Sequence, residues 1–83
     1  MTNIQIAVTD NNTITVIADT KRFGKHAVMY EGSTFMQCCD YIRRATRNNH
    51  FKLQALSHPA LPIRTFTDPE GRTLPWMMDV VLD

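Results

Sequence analysis

The sequence predicts a small α+β domain: an antiparallel sheet with one amphipathic helix packed on one face, in the order β-β-β-α-β-β-β. Short β-branched segments that alternate apolar and polar residues lie on both sides of a single helical segment. Turn-forming residues separate these segments at intervals typical of hairpins, which favours antiparallel pairing. With 83 residues, the chain is expected to form one domain, residues 1–83.

The N-terminal segment predicts a hairpin. Ile4, Ile6 and Val8 alternate with polar residues, which is strand periodicity. Residues 13–18 (TITVIA) are rich in β-branched side chains and predict a second strand. Residues 10–12 (DNN) tolerate the left-handed conformations that a hairpin turn needs. The inward face of the second strand is expected to consist of Ile14, Val16 and Ala18.

A short third strand is predicted over residues 26–30 (HAVMY). The polar residues 19–25, with Gly24 near their end, are expected to form the loop before it. Residues 31–32 (EG) are expected to break the strand, because glycine weakens strand pairing.

One helix is predicted to begin near residue 34. Thr34 and Gln37 have the spacing of a capping box, and Ser33 is an alternative cap. Apolar residues then recur at helical intervals and predict one buried stripe. This stripe consists of Phe35, Cys38, Cys39, Ile42 and Ala45.

The end of this helix is predicted to be basic. Arg43, Arg44 and Arg47 lie in its last turns, where the negative end of the helix dipole favours cations. Asp40 and Arg44 are four residues apart and predict an ion pair. Residues 48–49 (NN) are expected to end the helix.

The remaining segments predict three further strands. Residues 50–56 are expected to form the fourth strand, with Phe51, Leu53 and Ala55 inward. Pro59 and Pro62 make the next segment a stiff loop.

A second hairpin is predicted near the C-terminus. Its strands are residues 63–67 and the segment from Arg72 onward, and residues 68–71 (DPEG) fit a type I turn between them. Pro75 is expected either to confine the last segment to a sheet edge or to bend it. Residues 76–82 are apolar and fit a strand or a helix.

Positive charge is concentrated in one part of the chain. Residues 21–52 contain seven cations and two acids, a net charge of +5, whereas the remainder carries −4 and the whole chain +1. A surface of this kind attracts polyanions or an acidic protein face. The candidate binding residues are Lys21, Arg22, Lys25, Arg43, Arg44, Arg47 and Lys52.

Two binding hypotheses and one structural alternative follow from this charge. The helix face could bind an acidic face of another protein, because guanidinium groups bind carboxylates in two places. It could instead bind a nucleic-acid backbone without sequence specificity, with Phe23, Tyr30, Tyr41 or Phe51 stacking on bases. The alternative is a solvated helix face that serves solubility alone. The pI near 7.8 is below the value of about 9 that marks strong nucleic-acid binders.

No motif predicts catalysis, a metal site or a cofactor. Cys38, Cys39, His26, His50 and His58 do not have the spacing of metal ligands. The adjacent cysteines are expected to be reduced core thiols, as in cytoplasmic proteins. The sequence lacks a nucleophile elbow and a glycine-rich phosphate loop. It also lacks a signal peptide and an apolar run of about 20 residues, so a non-enzymatic cytoplasmic protein with no membrane span is expected.

The C-terminal segment offers a second candidate surface. Trp76 and Met77 belong to residue types that are enriched at protein interfaces, although a single Trp in a small chain is more often a core anchor. Val80 and Val81, if they lie on an edge strand, could pair across a two-fold axis and form a homodimer.

In size, hairpin–helix–strand layout and lack of catalytic motifs, the chain resembles the small accessory proteins encoded in the early regions of temperate tailed phages and prophages. The resemblance implies a modulator that binds a host protein, or alternatively a nucleic-acid-binding protein. We therefore expect a non-enzymatic binding protein with a host protein as its partner. A nucleic-acid-binding protein and a homo-oligomeric accessory protein are the alternatives.

Overall fold

The structure, a computed structural model, describes residues 1–9, 13–56 and 64–82, and it confirms the predicted α+β class and element order. The predicted turn at residues 10–12 and the loop containing Pro59 and Pro62 lie outside the described residues. The elements are β1 (Thr2–Val8), β2 (Ile14–Thr20), β3 (Gly24–Gly32), α1 (Phe35–Thr46), β4 (Lys52–Ala55), β5 (Thr65–Thr67), β6 (Thr73–Pro75) and β7 (Met77–Val81).

Five strands form one antiparallel sheet in the order β3-β2-β1-β7-β4, and β5 and β6 form a separate two-stranded sheet. Ile6 is opposite Val16 on one side and Met78 on the other. All three side chains are buried, so the hydrophobic alternation places one face of the sheet against the helix.

The helix covers this apolar face. The predicted capping box is present, because Gln37 N–H donates to Thr34 Oγ1 and the Gln37 side chain accepts from the Thr34 N–H. Ala45 is exposed, so the prediction that it belongs to the buried stripe is wrong. The buried core consists of Ile4, Ile6, Ile14, Val16, Ala18, Phe35, Cys38, Cys39, Ile42, Met78 and Val80.

Several predicted boundaries are corrected. β3 spans Gly24–Gly32 and not 26–30, so the predicted loop at 19–25 shrinks to a turn at residues 21–23. Residues 31–32 do not break the strand, because they are paired with β2. β4 is shorter than predicted: Phe51 and Leu53 are half-buried, whereas Ala55 is exposed at the sheet edge.

The position of β7 is the largest correction. Residues 77–81 form a strand between β1 and β4: residues 77–79 pair with β1, and residues 78–81 pair with β4. The alternative that this segment lies at a sheet edge is therefore wrong, and so is the condition on which Val80 and Val81 were to pair with a second copy. Pro75 ends β6 and the chain bends at Trp76, which is the alternative that the sequence also allowed.

Strand directions gather the basic segments at one end of the five-stranded sheet. β1, β3 and β4 begin at this end, where Thr2 is opposite Asp19 and Lys52 is opposite Val81. Two residues separate the end of β3, at the other end of the sheet, from α1, which returns across the sheet towards the start of β4. The β2–β3 turn and the C-terminus of the helix therefore lie at the same end.

Candidate functional site

The turn between β2 and β3, which we call the hairpin tip (residues 20–26), presents its side chains outward. Thr20 is opposite Gly24, whose φ of +86° is a left-handed conformation that glycine adopts without strain. The Phe23 N–H donates to Thr20 Oγ1 at 2.7 Å, which shapes the turn. The Phe23 side chain is 62% exposed. The tip is therefore an ordered turn that carries a large apolar side chain in solvent.

The hairpin tip also carries three cations, one of which contacts this aromatic ring. Lys21, Arg22 and Lys25 are all exposed. The Arg22 guanidinium carbon lies 5.1 Å from the centre of the Phe23 ring, within the range of a cation–π contact. Within the described residues, these cations form no ion pair. The tip therefore combines one exposed apolar ring with three exposed cations.

Asp19 ties the hairpin tip to β1. Its Oδ2 accepts from Asn3 Nδ2 at 2.8 Å and its Oδ1 from the His26 N–H at 3.0 Å. These two hydrogen bonds, that of Asn3 first, hold the pKa of the Asp19 carboxyl below its usual value of 3.8. Asn3 and His26 have φ values of 49° and 55°, which cost on the order of 1 kcal/mol each in a non-glycine residue.

This contact was not foreseen from the sequence, and only one weak signal could have indicated it. Asparagine tolerates left-handed backbone better than most residues, but nothing in the sequence pairs Asn3 with Asp19. The pairing depends on the register of β1 against β2, which shifts between Thr2 and Gln5.

An open pocket of about 510 Å³ lies beside the hairpin tip. Its volume is within the range of small ligand sites, about 300–1,000 Å³. Two of the three tip cations line it, together with Asp19. The lining residues are Met1, Thr2, Asp19, Thr20, Lys21 and Lys25.

The arginines of the helix form more contacts within the chain than the cations of the hairpin tip do. Arg43 forms an ion pair with Asp40 at 3.1 Å and lies 5.4 Å from the centre of the Phe51 ring. Arg44 Nε donates to the backbone carbonyl oxygen of Asp40 at 3.4 Å. The predicted pair between the Asp40 and Arg44 side chains is therefore wrong, since Asp40 binds Arg43. Arg47 is exposed and ends the helix with a φ of 55°, one residue before the predicted stop.

The seven predicted binding residues form two groups at the same end of the sheet. The hairpin tip is at the β3 edge, and Arg43 and Lys52 are at the β4 edge. Four strand spacings of about 4.8 Å separate the edge strands by about 19 Å. Among residues 1–9, 13–56 and 64–82, no hydrogen bond or ion pair joins the two groups.

Phe23 is the most exposed of the four aromatic residues that the sequence offered for stacking. Tyr30 and Tyr41 stack on each other with ring centres 4.9 Å apart, and both are half-buried. Phe51 is half-buried and contacts Arg43.

The two residues of the second candidate surface, Trp76 and Met77, lie in different environments. Trp76 is half-buried; its indole Nε1 donates to the Thr65 carbonyl oxygen at 2.9 Å, and its ring meets Phe66 edge-on at 6.3 Å. Trp76 therefore anchors the β5–β6 hairpin. Met77 is 39% exposed, on the sheet face opposite the helix.

The cysteines are placed as core residues. Cys38 is 0% exposed, and burial raises the pKa of its thiol to about 11. Burial also raises the pKa of Cys39. Both thiols stay protonated at neutral pH, a state that is a poor nucleophile. In the part of the chain that the structure describes, no three His, Cys, Asp or Glu side chains are arranged to hold a metal ion.

No described helix has the length and apolar character needed to cross a membrane. Comparison with family models, with curated proteins and with solved structures gives no match. The physical properties of the hairpin tip therefore carry the functional proposal.

Proposed function

We propose that this protein is a non-enzymatic binding protein whose hairpin tip docks on an acidic surface of a host protein. The observation that carries the proposal is the exposure of Phe23 among Lys21, Arg22 and Lys25. Aromatic residues and arginine are enriched among the residues that dominate protein interfaces. An acidic partner would cover the ring and neutralise the cations in one contact.

In this proposal the hairpin tip makes the main contact with the partner, in place of the helix face that the sequence favoured. Arg43 is held by Asp40 and Phe51, and Arg44 is bonded to its own helix. Releasing these contacts would offset part of any binding energy. The exposed Arg47 and the start of β4 at Lys52 would supply long-range attraction, because they lie at the same end of the sheet.

A host protein is favoured over nucleic acid by the charge of the rest of the chain. The net charge is only +1, since −4 lies outside residues 21–52. A long polyanion would meet this acidic remainder, whereas a protein can present a local acidic face. In keeping with the resemblance to phage accessory proteins, we propose that binding itself modulates the host protein.

Nucleic acid is the second candidate, and one observation favours it. The Phe23 ring is 62% exposed, and an exposed ring beside cations can stack on a base while the cations contact phosphates. Contacts from three cations predict a log–log salt dependence of binding with a slope of about −3. A protein interface anchored by an apolar side chain would weaken far less with salt.

A homodimer through the hairpin tip is disfavoured by charge. Two copies would bring both sets of Lys21, Arg22 and Lys25 together, and like charges repel. On the sheet face opposite the helix, Gln5 and Asp79 are hydrogen-bonded at 3.1 Å and interrupt the apolar surface. A homo-oligomer would therefore have to tolerate a polar centre on that face.

The proposal is tested by capture from bacterial lysate, with and without nuclease, using a C-terminal tag that leaves Met1 and Thr2 unchanged. The test variant carries Lys21→Gln, Arg22→Gln and Lys25→Gln. The control removes the same charge from the helix with Arg43→Gln, Arg44→Gln and Arg47→Gln.

We expect one stoichiometric host protein with the wild type, weaker capture by the helix variant and none by the tip variant. Folding of each variant is checked by its thermal melt. Undiminished capture by the folded tip variant contradicts the proposal. Capture that disappears with nuclease transfers it to nucleic acid.

A further inference from the structure

We infer, on the basis of the proposed function, that the partner presents an apolar hollow rimmed by carboxylates and that Phe23 fills this hollow. The inference names the chemistry of the partner and the residue of this chain that determines specificity. It depends on three properties of the hairpin tip: the exposed ring, its fixed presentation and the distribution of cations around it.

The first property is the exposed area of the ring. A Phe side chain buries about 150–250 Å² when it is fully covered, and 62% of Phe23 is still exposed. An aromatic side chain in a well-packed central pocket is typical of an interface anchor. Truncation of such an anchor weakens binding by about 30-fold or more.

The second property is that the ring is presented by an ordered turn. The Phe23 N–H is bonded to Thr20 Oγ1, and the strand that follows is bonded to Asp19 through the His26 N–H. Asp19 is in turn bonded to Asn3 on β1. Because these contacts exist without a partner, binding does not have to order the backbone of the tip.

The third property is the placement of cations around the ring and the pocket. Lys21 and Lys25 line the pocket beside the tip, and Arg22 lies against the ring. A carboxylate of the partner that enters this pocket meets two ammonium groups. Asp19 also lines this pocket, where its oxygens accept hydrogen bonds from Asn3 and His26. Its negative charge offsets part of the attraction of the two lysines for the partner's carboxylate.

The ring environment favours an apolar hollow over a stack of bases. Arg22 already lies over the Phe23 ring, so successive bases could use the other face alone. A hollow in the partner would surround the outer edge of the Phe23 ring and would not have to contact both of its faces. The cations beside the ring then contact the rim of the hollow.

Defined probes test the inference with the ¹⁵N-labelled full chain. The first probe is a six-residue peptide that alternates Glu and Leu, the second replaces each Leu by Ser, and the third is a hexamer of deoxythymidylate. We expect both peptides to shift the amide signals of residues 20–26 and Thr2. The Glu–Leu peptide should bind at least tenfold more tightly than the Glu–Ser peptide.

Two variants identify the side chain responsible. Phe23→Ser should abolish the advantage of the Glu–Leu peptide, and Phe23→Leu should retain most of it because an apolar side chain remains. Equal binding of the two peptides overturns the inference, as does the absence of shifts at the tip at millimolar peptide. Binding of the deoxythymidylate hexamer alone also overturns it and assigns the tip to nucleic acid.

Failure of the inference is distinguishable from failure of the proposed function. If Phe23→Ser captures the host protein as well as the wild type does and the tip charge variant does not, the inference fails and the function stands. If both variants capture the partner as well as the wild type does, the proposed function fails.

Discussion

The hairpin tip and the turn at Asp68–Gly71, which we call the anchored turn, are built alike and placed differently. Each begins with a polar side chain that accepts a backbone N–H: Thr20 from Phe23, and Asp68 from Glu70 and Arg72. Each contains a glycine with a left-handed φ. The Asp68 carboxylate also accepts the Phe35 N–H at the start of the helix, and it is 4% exposed.

The difference shows that local turn chemistry does not decide what a turn does. The anchored turn supplies a negative group to a helix N-terminus that has no acid of its own in its first turn, and Arg72 lies 5.9 Å from the centre of the Phe35 ring. The hairpin tip has a comparable turn, but among the described residues its hydrogen bonds stay within the tip or reach Asp19 of β2, which is bonded to β1. Its outward side chains are therefore available to a partner.

The largest expected effect is on the anchored turn. Asp68→Ala should lower the free energy of unfolding by about 3 kcal/mol, because three N–H groups lose a charged acceptor. Asp68→Asn keeps one side-chain oxygen as an acceptor and should cost about half as much. Chemical denaturation measures both values. A loss below about 1 kcal/mol for the alanine variant would show that the turn is not anchored in this way.

Substitution of the glycine in each turn should cost the same free energy of unfolding, but only one of the two substitutions should affect the helix. Gly24→Ala and Gly71→Ala should each cost about 1 kcal/mol, since φ is +86° and +84° and an added Cβ meets nothing within 4 Å. Hydrogen exchange should become faster at Phe35 and in the first helical turn only for Gly71→Ala. Faster exchange there in the Gly24→Ala variant would remove the distinction between the two turns.

A smaller effect is expected for the exposed ring. Phe23→Ser should change the free energy of unfolding by less than about 0.5 kcal/mol, because surface substitutions away from buried contacts have little effect. The control is Phe66→Ser, which removes a half-buried ring next to Trp76 and should cost about 2 kcal/mol. Similar losses for the two variants in denaturant would mean that Phe23 packs on the fold.

The smallest effect concerns Asp19 and is local. Its pKa is lower in the folded chain than the usual 3.8, so its ionised form is favoured by folding. Its contribution is therefore present above pH 3.8 and is lost as the pH falls through the folded-state value. The amide signal of His26 should move in that window in a titration from pH 7 to 2. Asp19→Asn should remove this movement, and a movement centred above pH 3.8 would contradict the assignment.

Much of the fold was predictable because its determinants are local. Alternation in β1 and β2 identifies their inward faces, and the spacing of Thr34 and Gln37 identifies the start of the helix. The predicted turn at residues 68–71 is closed by the Gly71 N–H and the Asp68 carbonyl oxygen at 2.9 Å. Each of these signals is contained within a few residues.

The candidate site was predictable only in part. Composition and order along the chain identified Lys21, Arg22 and Lys25 as cations near an aromatic residue. They did not show that Arg43 is held by Asp40 and Phe51, because the contact with Phe51 depends on how the helix returns to β4.

By itself, then, the sequence determined the class, the order of the elements, the helix cap and the concentration of charge, since periodicity and capping act over short stretches of chain. The tertiary structure decided that β7 lies between β1 and β4, that Asp68 caps the helix from another hairpin and that Phe23 is left in solvent. These outcomes depend on pairings between distant residues, such as Gln5 with Asp79, 74 positions apart. A strand's own alternation specifies which face is buried but not which neighbour it pairs with.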